Sequence, residues 1–276
     1  MQAGSGKGAS ECNGFDESAA EGQHQGMYVV VLRSLPPPEP ATVQALAAAL
    51  GVLPYEARSK LVVLGGGPSV VAKLADGGRA QGLAAALSQA GFAPLVVDEN
   101  AVRQAPVFEA RRLSFDAGGL QVEERGGATR SVGFGAIAMV LRATGISTGS
   151  VTESTTRNTF SAGRALLTGG LMLTKKQTTF TTQATEEWQG LLMVYPAGGM
   201  PLRIDEGVLL EGPGPSQPTR QAAFAYIIEQ LRSRCPQAVY DDRLMRRAGQ
   251  LQLLGAGLPP EEHLELALAI LAATLG

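Results

Sequence analysis

The sequence predicts an α+β fold with two domains: a small β-α-α-β-α-β domain, then an antiparallel β-barrel or sandwich capped by a helix, with terminal helices after it. Three observations lead to this prediction. Short β-branched runs alternate with helical apolar periodicity up to about residue 103. Apolar residues then alternate with polar ones from about residue 108, and a long amphipathic helix follows near residue 220.

Residues 1–26 are predicted to be a disordered tail. The segment has four acidic residues, one lysine and almost no large apolar side chains. It therefore cannot bury enough surface to offset the entropy lost on ordering. Its GSGKG motif lacks the spacing and the hydroxyl residue of a phosphate-binding loop, so we do not predict a nucleotide site there.

Residues 27–103 are predicted to form the β-α-α-β-α-β domain. The run Tyr28 to Leu32 indicates a buried strand. The first helix ends at Gly51, and the second begins with Pro54 in its first turn. A strand around Val70 to Leu74, a third helix ended by Gly91 and a closing strand in FAPLVVDE complete the order.

A set of turn, core and charged positions in this segment recurs in one known domain. These positions are Gly51, Glu56, Ala57, Arg58, Leu61, Val62, Pro68, Ala80, Leu83, Leu87 and Gly91. With them the segment resembles the C-terminal domain of the bacterial ribosomal stalk protein, a fold shared by the N-degron adaptor of the Clp protease. The resemblance covers about a quarter of the chain and implies the fold of that domain. The stalk domain's lysine-rich helix surface is thin here, so the binding of translation factors is not carried over.

Residues 107–240 are predicted to form the second domain, a β-meander with one buried face. The motifs DAGG, RGG and PAGG indicate turns in which glycine supplies a positive φ. The segment from Thr219 to Arg234 is predicted to be a helix that Pro236 stops. Its apolar residues recur at helical spacing and should be buried against the strands. They are Phe224, Ile227, Ile228 and Leu231.

The predicted strands are followed by one amphipathic helix, and an early strand pair carries a short motif. The motif positions are Ser114, Phe115, Asp116, Gly119, Leu120 and Val122. In this order of elements and in this motif the segment is similar to a bacterial pleckstrin-homology-like domain. That resemblance implies a barrel with one mouth plugged by the closing helix, and basic strand-connecting loops that bind phosphorylated head groups or acidic peptides.

Residues 241–276 are predicted to be helical, beginning with a helix capped by Asp241 or Asp242. A terminal helix opens at Pro259-Pro260 and carries apolar residues on more than one side. Such a helix has to be covered, either by its own chain or by a partner. An oligomer formed through this helix is therefore one alternative.

The sequence GISTG, residues 145–149, fits the G-x-S-x-G pattern of a serine hydrolase. Ser147, Asp205 and His263 follow the chain order of such a triad. However, the ten residues after Gly149 are rich in Ser and Thr and favour strand or loop over the helix that a nucleophile elbow requires. His263 follows two glutamates in a first helical turn, where an exposed imidazole is expected. The serine hydrolase is the least favoured alternative.

The segment 144–183 is rich in Thr, Ser and Gly and is locally basic. Its candidate binding residues are Arg157, Arg164, Lys175 and Lys176, opposed by the single acid Glu153. A basic loop over residues 150–183 predicts binding of an anionic lipid or phosphate ligand, with peripheral contact to an anionic membrane. The competing interpretation is a long solvated hairpin whose lysines prevent edge-to-edge pairing. Leu171, Met172 and Leu173 are too apolar for a free loop, and a strand is expected from about Leu171 to Thr174.

The composition excludes several functional classes. Two cysteines and two histidines give no zinc constellation, and we predict neither a metal nor a cofactor. A net charge of −2 does not favour nucleic acid. The N-terminus lacks the apolar region of a signal peptide and no long apolar run occurs, so a cytoplasmic location is predicted. The leading hypothesis is a non-catalytic interaction or scaffold protein that binds a protein partner.

Overall fold

The computed structural model describes residues 26–62, 67–160, 174–212, 217–255 and 257–276, and for residues 146–160 and 174–187 it describes the backbone alone. The predicted disordered tail, apart from its last residue, therefore lies outside the described residues. So do Arg164 and most of the strand predicted over 171–174. The chain contains both helices and sheets, which confirms the α+β class. No helix in the described ranges is long and apolar enough to span a bilayer.

The first part of the chain has the predicted β-α-α-β-α-β order and then one short helix that was not predicted. All strand pairs of its three-stranded sheet are antiparallel, in the order β2-β1-β3. The elements are β1 (Tyr28–Leu32), α1 (Pro40–Leu50), α2 (Pro54–Leu61), β2 (Ser69–Leu74), α3 (Gly77–Gln89), β3 (Pro94–Asp98) and α4 (Glu99–Gln104).

Local sequence signals account for these boundaries. Proline is the first residue of both α1 and α2, and α1 ends at Gly51 with a φ of 66°. The Asp76 carboxylate caps α3 by accepting a hydrogen bond from the Arg79 amide at 2.7 Å. One face of the sheet buries Val30 and Leu32 against the first three helices.

The second part of the chain forms an eight-stranded sheet. Seven strands follow the order β11-β7-β8-β9-β4-β5-β6, and β10 pairs with β4 beside β9. The strands are β4 (Phe108–Phe115), β5 (Gly119–Glu124), β6 (Thr129–Gly133), β7 (Ile137–Phe160), β8 (Thr174–Pro196), β9 (Leu202–Asp205), β10 (Leu209–Glu211) and β11 (Val239–Leu244).

The prediction of a purely antiparallel second sheet is wrong. β9 and β10 both pair in parallel with β4, and β11 pairs in parallel with β7. The parallel pair β7–β11 arises because a helix separates β10 from β11 and returns the chain to the opposite edge of the sheet. Among the described residues the pairing path does not close on itself.

Two of the three predicted turns contain a glycine with a positive φ. Gly127 has a φ of 81° in the RGG turn and Gly198 a φ of 69° in the PAGG turn. The DAGG turn is different, because neither of its glycines has a positive φ. There the Asp116 carboxylate accepts hydrogen bonds from the Gly118 and Gly119 amides at 2.7 and 2.6 Å.

The predicted closing helix is α5 (Arg220–Arg234), and its apolar face is buried as predicted. The Thr219 hydroxyl caps it by accepting a hydrogen bond from the Ala222 amide at 3.1 Å. Full burial of its four large apolar side chains contributes roughly 6–12 kcal/mol before ordering costs. The buried residues are Phe224, Ile227, Ile228 and Leu231, which pack against strands β4 to β9.

The C-terminal segment differs from its prediction at its start. Asp241 and Asp242 do not cap a helix, because both belong to strand β11 and a boundary at residue 240 falls inside that strand. Pairing with β7 and burial of Leu244 outweigh the local helical signal. The helices that follow are α6 (Arg247–Leu254) and α7 (Pro260–Leu275).

Helix α7 packs on its own chain. It lies in a core, here called the shared core, that combines residues from both sheets with residues of α6 and α7. The apolar character of α7 on more than one side follows from this position, because the shared core surrounds the helix with apolar residues of other elements. The shared core includes Val29, Val31, Val70, Met139, Leu141, Ala143, Leu191, Met193, Leu244, Leu253, Leu254, Leu266, Leu268, Ile270 and Leu271.

Candidate functional site

Three of the four basic residues predicted as a ligand site lie on the long antiparallel hairpin β7–β8. Arg157, Lys175 and Lys176 occupy consecutive positions of the strand register, close to the point where the described strands end. Arg164 lies outside the described residues. The described parts of the 150–183 segment are paired antiparallel strands, which agrees with the competing hairpin interpretation and not with a strand-connecting loop in those parts.

Ser147 does not lie at a nucleophile elbow. It occupies the interior of β7, where it pairs with Glu187 of β8, and the strand continues to Phe160. A nucleophile elbow needs a sharp turn into a helix directly after the serine. Asp205, the predicted triad acid, pairs instead with Arg203, whose Nε lies 3.1 Å from Oδ1 of the carboxylate.

The prediction of an exposed His263 is wrong. Its side chain is buried between α4 and the first turn of α7. Nδ1 lies 3.0 Å from the Pro259 carbonyl oxygen, and Nε2 lies 3.6 Å from Oε1 of Glu99. The Arg103 guanidinium also donates to that carboxylate oxygen, at 2.6 Å. Helix α4, which was not predicted, covers the His263 side chain.

A groove of about 680 Å³ lies between the two sheets, and we call it the inter-sheet groove. Strand β3 and helix α4 line one side of it, and strands β8 and β9 line the other. Helix α7 forms the floor, where Ala269, Ala272 and Ala273 occupy little volume. A mostly apolar cleft at the junction of two substructures is a common position for a binding site.

The free edge of β3 runs along this groove. Leu95, Val96 and Val97 all line it, although successive side chains of a strand point to opposite faces. The groove therefore follows the edge of the strand. β3 is the outer strand of its sheet and pairs only with β1 in the described part of the chain.

The hydrogen-bond register shows which backbone groups face the groove. The Glu99 amide donates to the Met27 carbonyl, and the Arg33 amide donates to the Ala93 carbonyl, both at 2.9 Å. In an antiparallel pair such bonded positions alternate, so the odd-numbered residues of β3 bond to β1. The N–H and C=O of Val96 point away from β1.

The arginines at the rim of the groove form ion pairs, whereas, among the described residues, one rim carboxylate does not. Arg103 bonds to Glu99, and Arg203 lies within 3.2 Å of Glu265 as well as beside Asp205. Glu109 is exposed at the rim and forms no ion pair with any described residue. The rim therefore presents carboxylate charge that its own arginines do not neutralise.

Tyr195 adds a neutral hydroxyl to the groove wall. Burial raises the pKa of its hydroxyl to about 12, above the ordinary value near 10. The side chain therefore remains a hydrogen-bond donor throughout the neutral pH range. Together with Met193 it gives this wall an apolar body with one polar group.

The inter-sheet groove has no continuous signal in the sequence, because its walls come from segments far apart in the chain. One local signal was present. Pro94 opens β3, and proline in a strand indicates an edge strand or a first residue, since it cannot donate to a neighbouring strand.

No protein-family description, curated protein or solved structure matches this chain.

Proposed function

We propose that the protein is a non-catalytic interaction protein whose inter-sheet groove binds an extended segment of a partner protein. The observation that carries the proposal is the free edge of β3 beside an apolar groove. In this mode, called β-augmentation, main-chain hydrogen bonds give affinity and side-chain pockets give specificity. The stalk-protein-like and pleckstrin-homology-like resemblances agree with a binding role.

The backbone of β3 defines how such a segment would lie. Val96 offers one donor and one acceptor to the groove, and Pro94 offers only a carbonyl oxygen. A peptide strand would bond to Val96 and direct alternate side chains towards the alanines on the floor. Small floor residues leave room for large apolar side chains from the peptide.

The rim charges define the chemistry of the partner. Among the described residues, two carboxylates of the groove, Asp98 and Glu109, form no ion pair, and Asp98 already accepts hydrogen bonds from backbone amides of α4. Arg103 and Arg203 have carboxylate partners. Charge complementarity therefore favours an apolar segment with a flanking lysine or arginine over an acidic one. The proposed ligand is an extended, apolar peptide segment with a basic residue beside Glu109.

Selection from a random displayed-peptide library tests this function. Peptides with alternating apolar residues and a basic flank should be enriched. Ala269→Trp fills the groove and should weaken their binding about tenfold or more. The matched control, Ala225→Trp on the exposed face of α5, should bind normally. Failure to enrich such peptides, or equal binding to both variants, refutes the proposal.

Amide hydrogen exchange supplies a second readout. The Val96 amide should become protected when a selected peptide binds, because it acquires an acceptor. The Val97 amide, which already faces β1, should change little. Protection that appears elsewhere and not at Val96 would show that the peptide binds another surface.

A second candidate function is binding of an anionic ligand by the β7–β8 hairpin. The observation in its favour is the register that brings Arg157, Lys175 and Lys176 to adjacent positions. Flotation with anionic vesicles should then be salt-sensitive and lost in Lys175→Glu/Lys176→Glu. Flotation that is absent, or unaffected by these changes, excludes this candidate.

A further inference from the structure

Two arginines and one tyrosine meet where the last turn of α5 approaches β7 and β11. Arg142 belongs to β7, Arg232 to α5 and Tyr240 to β11. Tyr240 lies opposite Val140 in the parallel β7–β11 register. Val140 faces the core under α5, and Arg142, two residues later, therefore lies on the same face of the sheet.

Two donors in this cluster are buried and have no hydrogen-bond partner among the described residues. They are Nε of Arg142 and the hydroxyl of Tyr240. A buried donor without an acceptor destabilises a fold, and such groups are uncommon in native proteins. Two of them in neighbouring strands indicate that the cluster is arranged to donate to an external acceptor.

The electrostatics of the cluster lead to the same conclusion. The Arg232 guanidinium carbon lies 5.8 Å from the centre of the Tyr240 ring. Burial lowers the pKa of Arg142, and the positive charge of Arg232 lowers it further, although Asp242 opposes both effects. Neither arginine forms an ion pair with a carboxylate among the described residues, so their mutual repulsion is not relieved by close pairing.

We propose that Arg142, Arg232 and Tyr240 form a binding site for a phosphate monoester. Two guanidinium groups match the charge of a phosphate monoester, which is about −1.5 to −2 at neutral pH. Its three terminal oxygens match the donors that the three side chains supply. A carboxylate carries one negative charge and would leave one of the two guanidinium charges uncompensated.

This site is separate from the basic residues of the hairpin. Arg142 and Arg157 are fifteen positions apart on the same extended strand, β7. At a rise of about 3.3 Å per residue they are roughly 50 Å apart. An experiment on either site therefore leaves the other unchanged.

Titration calorimetry with phenyl phosphate, compared with acetate at equal ionic strength, tests the site. Phenyl phosphate should bind, and the affinity for acetate should be lower by about tenfold or more. Arg232→Gln should weaken phenyl phosphate binding by about tenfold or more, whereas Arg220→Gln in the first turn of α5 should have no effect. The proposal is overturned if phenyl phosphate does not bind or if both variants behave alike.

Tyr240→Phe separates a binding role from a structural one. The hydroxyl has no hydrogen-bond partner in the described part of the chain, so its removal should leave the melting temperature unchanged or raise it in buffer without phosphate. The same variant should bind phenyl phosphate more weakly. A lower melting temperature with unchanged affinity would assign the hydroxyl a structural role and contradict the proposal.

Vesicles containing phosphatidic acid identify the source of the monoester. If phenyl phosphate binds and the protein also floats with these vesicles in an Arg232-dependent way, the ligand is a lipid head group. If phenyl phosphate binds and the Arg232-dependent flotation is absent, the ligand is a soluble phosphate ester. Flotation without phenyl phosphate binding overturns the assignment of the site.

Discussion

Leu271→Ala tests whether the shared core holds the two sheets together. The Leu271 side chain is fully buried, with 0% of its surface exposed. The shared core in which it is buried combines residues of both sheets and of two helices, so we expect the cavity left by the change to collapse poorly. A buried Leu→Ala change costs about 3–5 kcal/mol when the site collapses poorly, and we expect about 4 kcal/mol.

Thermal unfolding followed by far-ultraviolet circular dichroism measures this loss. At about 2–4 °C per kcal/mol for a chain of this size, the midpoint should fall by roughly 8–16 °C. The matched control is Leu251→Ala in α6, where the side chain is 40% exposed. That change should cost about 1 kcal/mol or less.

Hydrogen exchange locates the effect. Because the shared core contains residues of β1 and of β7, amides in both strands should lose protection by the same free energy. Loss of protection confined to β7 would show that the first sheet unfolds independently. A midpoint shift no larger than that of Leu251→Ala would refute the reasoning entirely.

Three further predictions concern other parts of the fold. Phe224→Asp should abolish cooperative unfolding of the second sheet, because a carboxylate would replace a buried ring. A calorimetric unfolding transition like that of the natural protein would contradict this. Burial raises the pKa of both Tyr195 and Tyr240 to about 12. The stability linked to their protonated form is therefore complete below pH 10 and is lost between pH 10 and 12. In denaturant titrations, the free energy of unfolding of the double Tyr→Phe variant should fall less over this pH range than that of the natural protein. Gly249→Ala should cost about 2 kcal/mol or more, because a Cβ there overlaps the Arg243 carbonyl oxygen, and a chemical-denaturation midpoint equal to that of the natural protein would disagree.

The elements most accurately predicted from sequence are those with strong local signals. The apolar residues of α5 recur every three or four positions, and this periodicity identifies the buried face without knowledge of its neighbours. The order of elements up to Asp98 follows in the same way from prolines, glycines and β-branched runs. The β11 strand was missed because its pairing with β7 depends on a distant segment.

The candidate sites were the least predictable part. Arg157, Lys175 and Lys176 stand out in the sequence because they are charged and close together in the chain. The inter-sheet groove and the Arg142–Arg232–Tyr240 cluster have no such local signal. Each combines residues from separate elements, and the composition of any one element does not reveal it.

The sequence by itself determined the α+β class, the helix faces and most turn positions, because these depend on side-chain period and backbone preference within a few residues. Only the tertiary structure decided that α7 shares a core with two sheets. It also decided that, among the described residues, β3 has one unpaired edge and Arg142 approaches Arg232 without an ion pair to either. Those features depend on strand order and register, which bring together residues separated by up to about 240 positions in the chain.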